Sequence, residues 1–79
     1  MQEQKYDDKL IREVIGKTPS SKLSEVIDEY VHNARNKDIC RRKILDDEVY
    51  RVIALDNDLT IRRCKEIVRN TRRIIYDHL

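Results

Sequence analysis

Tryptophan and phenylalanine are missing from this 79-residue chain, so any core has to be assembled from Ile, Val and Leu with help from four tyrosines. A single glycine and a single proline leave almost no turn chemistry for β-hairpins, whose tight turns need residues that accept positive φ. No apolar run approaches the roughly 20 residues of a membrane-spanning helix, and none resembles a signal-peptide core. A cytoplasmic, membrane-independent protein is expected. A glycine-rich phosphate loop, Cys-x-x-Cys, His-Glu-x-x-His and a serine elbow are all absent. A chain this short buries only about 60% of the surface its unfolded form exposes, which leaves little room for an enclosed active site. The expectation is therefore a binding protein without a cofactor, not an enzyme.

Cysteine is scarce too. Cys40 and Cys64 both fall inside apolar-periodic segments, where a reduced, buried thiol behaves as a small hydrophobe. A disulfide would need an oxidising compartment, and a zinc site would have to recruit His32 and His78 at spacings that match no common finger. Neither a metal nor a cross-link is expected, and a reactive thiol is the remaining alternative.

What the chain does have is charge, 41% of residues, interleaved with 39% apolar residues. The apolar positions recur every three or four residues, which marks helices rather than disorder. A first helix is expected over residues 6–15, with Tyr6, Leu10, Ile11, Val14 and Ile15 on one face and Asp7 and Asp8 at its positive end. Gly16 is the expected stop, through a left-handed cap. Thr18 as N-cap and Pro19 in the first turn announce a second helix, expected to end near Asn36. Its stripe is Leu23, Val26, Ile27, Tyr30, Val31 and Ala34, and His32 beside it reads as solvated. One continuous helix over residues 37–55 would scatter apolar side chains all round, so a break is expected at Asp46 or Asp47. That divides the segment into short helices at 39–45 and 47–55, the second with a Val49, Val52 and Ile53 stripe. Arg41, Arg42 and Lys43 end the shorter one, to compensate its dipole or, alternatively, to contact phosphate. The fold expected is all-α, a single domain of four to five short helices.

The last third, residues 58–79, organises the rest. Ile61, Cys64, Ile67, Val68, Ile74 and Ile75 form an apolar side, while Arg62, Arg63, Lys65, Arg69, Arg72 and Arg73 face only Asp58, Glu66 and Asp77. The chain as a whole carries +2, so all the excess positive charge sits on this segment, with Asp58 or Thr60 as its N-cap.

Residues 49–69 resemble the helix-turn-helix motif. Ala54 stands where a small residue lets the two helices approach, Asp58 stands at the turn glycine, and Leu59 and Thr60 open the second helix. Cys64 and Ile67 follow at packing positions. Asp58 in place of glycine and Asn57 in place of an apolar residue are departures. The resemblance implies a regulatory DNA-binding protein in which Thr60, Ile61, Arg62, Lys65 and Arg69 lie along the exposed side of the second helix and reach a major groove or its phosphates, and Arg72 and Arg73 extend the expected basic contacts along the same helix. Glu66, on nearly the same face, works against it. The alternative is a protein partner or a second copy meeting Ile61, Val68, Ile75 and Leu79 at near-heptad spacing. On that reading the chain is an adaptor, an inhibitor of a larger enzyme or a small phage-type regulator of a host factor.

Overall fold

Asp7 opens the first helix by accepting hydrogen bonds from the N–H groups of Lys9 and Leu10 at 3.1 and 3.3 Å. These donors have no partner within the first turn, which is why a carboxylate there stabilises it. The computed structural model describes residues 6–79, so the polar segment 1–5, expected to fray, lies outside the described residues. Helix α1 is Asp8–Gly16. Ile11 and Ile15 of its expected stripe are buried and Val14 is half-buried, but Leu10 stands 46% exposed. Gly16 ends the helix without a left-handed conformation, since Lys17 follows in the helical region and no glycine has positive φ. Thr18 donates from Oγ1 to the Val14 carbonyl at 2.8 Å, so it closes α1 rather than capping the next helix. Pro19 takes the N-cap place of α2, Ser20–Tyr30, with no side-chain cap.

Helix α2 stops well short of Asn36. Val31 turns extended, yet its side chain is only 5% exposed, and an apolar residue that serves the core from outside the helix made the pattern look continuous. Ala34, expected on the α2 stripe, instead begins α3, Ala34–Cys40, under an N-cap from Asn33 Oδ1 to the Asn36 N–H at 3.0 Å. Helix α3 runs on into a π-helical turn, Arg41–Leu45, where the Asp46 N–H reaches back five residues to the Arg41 carbonyl. The expected break follows, but not its expected cap. Asp47 adopts φ 51°, and Val49 is the uncapped N-cap of α4, Tyr50–Asp56. Its expected stripe is also corrected: Ile53 and Ala54 face inward, while Val49 and Val52 are 59% and 40% exposed. The last helix, α5, is Ile61–Asp77.

These five helices form one all-α globule, with no strand among the described residues. Two buried clusters lie inside it. Ile11, Ile15, Leu23, Val26 and Ile27 of α1 and α2 pack with Val31 and with Ile75 of α5. Ile39 and Cys40 of α3 pack with Ile53 and Ala54 of α4 and with Cys64, Ile67 and Val68 of α5. Ile44, on the π turn, packs against both. Helix α5 therefore walls both clusters, the N-terminal half one and the C-terminal end the other. Two members of its expected apolar side depart, Ile61 standing 42% and Ile74 39% exposed.

Both cysteines are free and have no exposed surface. Burial pushes the Cys40 thiol up to about 11, against the smaller opposing effects of a hydrogen bond with Thr71 and of the nearby Arg72 charge. Burial raises Cys64 as well.

Two outcomes test this packing. Ile27→Ala and Ile67→Ala, one in each cluster, should each cost about 2–5 kcal/mol of unfolding free energy. Each should still give a single thermal transition, because α5 joins the clusters, and two separated transitions would contradict that. A thiol reagent at pH 8 should label neither cysteine in the native state and both after unfolding, since attack needs an accessible thiolate.

Candidate nucleic-acid interface

The connection between α4 and α5 is a four-residue turn, 57–60. Asp58, in the place of the turn glycine, adopts φ 55°. Aspartate tolerates that left-handed region better than most residues with a side chain. Asn57 replaces the usual apolar residue and satisfies its amide by donating to the Ile53 carbonyl at 2.9 Å. The Leu59 N–H donates to the Ala54 carbonyl at 2.9 Å, and Thr60 Oγ1 accepts from the Arg63 N–H at 3.1 Å as the cap of α5. Ala54, Cys64 and Ile67 are buried and Leu59 is half-buried.

A clasp built on the π turn holds this unit. Arg42 donates to both carboxylate oxygens of Glu48 at 2.9 and 3.1 Å and to Asp56 on α4 at 2.7 Å, with Asp38 on α3 at 3.8 Å. Arg41 bonds Ser24 and Asp28 on α2. Lys43 donates to the Glu48 carbonyl at 3.1 Å and lies 4.6 Å from the Tyr50 ring centre. Arg41, Arg42 and Lys43 are thus each engaged in contacts within the chain rather than held out toward a phosphate.

Helix α5 turns its other side outward. Arg62, Lys65, Arg69 and Arg72 follow one another at steps of three, four and three residues, which places them along one line of the helix surface. With Arg12 and Asp8 of α1 and Tyr50 of α4 they line a groove of about 780 Å³. Lys65 lies 5.6 Å from the Tyr50 ring centre, over the apolar body of the side chain. The acids of the groove are already paired. Glu66 meets Arg63 at 3.2 Å and Arg62 at 3.7 Å, and Asp8 takes both guanidinium contacts of Arg73 at 3.2 and 3.3 Å.

Arg73 is therefore misplaced among the expected contacts. It clamps α5 to α1 and lies over the Tyr6 ring, 5.2 Å from its centre, instead of facing a ligand. Thr60 spends its hydroxyl as a cap. The alternative protein-binding stripe also loses half its members, since Val68 and Ile75 have no exposed surface and only Ile61 and Leu79 are open. Arg12 and Tyr50 were not legible as groove residues, because their place depends on how α1 and α4 dock on α5 and no local spacing encodes that. No protein-family model, no curated protein and no solved structure matches this chain.

The clasp makes acid sensitivity predictable in sign. Hydrogen bonding to Arg42 holds Glu48 below its ordinary 4.5, and Arg41 does the same for Asp28 below 3.8. A carboxylate depressed in the folded state stabilises it above the unfolded value and loses that contribution as pH falls toward the folded one. The thermal midpoint should therefore drop as pH falls below 4.5. Glu48→Gln should lower the midpoint at pH 7 and flatten the decline, and an unchanged acid profile would show that the clasp adds nothing.

Proposed function

We propose that this chain is a small non-enzymatic regulatory protein that grips duplex DNA along the basic face of α5, in the manner of a recognition helix. One observation carries the reading: Arg62, Lys65, Arg69 and Arg72 share one line of the longest helix, the first three exposed and Arg72 half-buried, and the acids near them are paired, Asp8 with Arg73 and Glu66 with Arg63 and more loosely with Arg62. Four cations at that spacing run about 15 Å along a helix axis, a length that suits the edge of a major groove or the phosphates bordering it. Arg12 widens the basic strip from a second element. The left-handed Asp58 and the buried Ala54 give further support, since both are what a helix-turn-helix corner requires.

Polyanion binding of this kind releases counterions, so affinity falls with salt at a log–log slope of about −0.9 per phosphate neutralised. Four to five contacts predict a slope of about −4 for a short duplex, measured by fluorescence anisotropy. Arg62→Ala, Lys65→Ala and Arg69→Ala should each reduce the slope by about one unit, and thermal stability should barely change because these side chains are off the packed face. Arg73→Ala should instead act on stability, by up to about 1 kcal/mol for a half-exposed ion pair, and leave the slope alone. Salt-insensitive binding, or a triple alanine variant at 62, 65 and 69 that binds as the parent does, would end the nucleic-acid reading.

A further inference from the structure

The outer face of α4 is apolar where a surface helix is normally polar. Val52 is 40% exposed, Leu55 79% and Ile61, across the turn, 42%, and together with half-buried Leu59 they line a shallow depression. Nothing in the two buried clusters needs these side chains outward, since Ile53 and Ala54 already fill the inward positions of α4. The ends of this strip carry opposite charges. Arg51, in the first turn of α4, lines the depression, and Asp58 lies just past the C-terminal end of the helix. Among the described residues neither side chain has a hydrogen bond or ion pair, in a chain whose clasp engages Arg41, Arg42 and Lys43 close by.

A strip with a cation at one end, an acid at the other and apolar side chains between is complementary to itself when reversed. We propose that α4 and the turn after it form an isologous interface with a second copy of this chain, the two α4 helices packing antiparallel about a two-fold axis. Val52 and Leu55 then meet their own counterparts near the axis, and Arg51 of each copy faces Asp58 of the other. Antiparallel packing also sets the N-terminus of each short helix beside the C-terminus of its partner, which favours the same orientation. A two-fold is the commonest closed arrangement for identical chains, and only a self-complementary patch satisfies it. The strip is far smaller than the roughly 800 Å² per partner of a stable complex, so the pair is a weak, concentration-dependent dimer. It does not rest on the nucleic-acid reading, because Arg62, Lys65, Arg69 and Arg72 take no part in it.

Sedimentation equilibrium of the full chain, from micromolar to millimolar concentration and without nucleic acid, should show the average mass rising from one chain toward two. Leu55→Glu should hold it at one chain with an unchanged circular dichroism spectrum, since a residue 79% exposed carries no folding burden. Arg51→Glu and Asp58→Lys should each weaken association about tenfold by placing like charges together. Mixing equal amounts of R51E and D58K should restore association to near the parent's, because every contact then pairs opposite charges. That restoration also excludes misfolding as the cause of the single defects. A parent that stays monomeric throughout, association indifferent to Leu55→Glu, or a mixture no tighter than its components would each overturn the proposal.

Discussion

The constraint on which the structure depends is that α5 has to serve two cores at once. The chain has no Phe or Trp, and its Ile, Val and Leu side chains settle into two small clusters. Neither is self-sufficient, since α1 and α2 leave one open side and α3 and α4 leave another. The apolar arc of α5 closes both, Cys64, Ile67 and Val68 on one and Ile75 on the other. Hydrophobic burial at this scale competes with the conformational entropy of ordering every residue, and sharing a single wall reduces the apolar surface that must be found. The same arrangement fixes what the other arc of α5 does: it faces water along its length and so is free to carry charge.

Charge is distributed by the same logic. Most of the cations near the π turn are consumed by contacts that fasten elements to each other: Arg41 reaches α2, Arg42 joins α3 and α4, and Lys43 secures the connector. Arg73 fastens α5 to α1. Among the described residues Lys65, Arg69 and Arg72 form no ion pair and stand together on α5, with Arg12 close by and Arg62 only loosely tied to Glu66. Exposed ion pairs contribute little apiece, so the value of the clasp lies in several of them converging on Arg42. By fixing the connector before α4 it positions the turn from which α5 departs.

How much of this could be read from the sequence depended on whether the signal was local. Thr60 is legible as one of two cap candidates, beside Asp58, because capping is a contact between a side chain and its own next turn, whereas Asp7 reads only as a charge at the helix's positive end and proves to be its cap; Cys40 and Cys64 are legible as buried because they keep helical period. Val31 misled because it keeps the period while the backbone has already left the helix, and burial rather than helicity accounts for it. The π turn was invisible for a related reason: an extra residue in one turn shifts the phase of everything after it, so Ile44 can touch both clusters only in a register no regular pattern predicts. Arg73 and Asp8 are 65 residues apart, and their pairing follows only from the docking of α1 on α5.

The exposed residues of α4 are a different kind of misreading, and a more informative one. Val49, Val52 and Ile53 read as a stripe because the spacing is right, yet the helix is rotated so that Ile53 and Ala54 face inward. Ala54 shows the rotation. It is buried beside Ile53 against Cys64, Ile67 and Val68 of α5, and with these two turned inward Val52 and Leu55 point away from the core. Close packing at the corner therefore creates the apolar surface outside it, at the turn from which the basic helix begins. Departures from local consistency of this sort concentrate where a protein meets something else. Here the departure and the basic groove meet at Ile61, which lines both. Any partner held on the α4 side is thereby held next to the N-terminal end of α5, so the two surfaces are neighbours by construction.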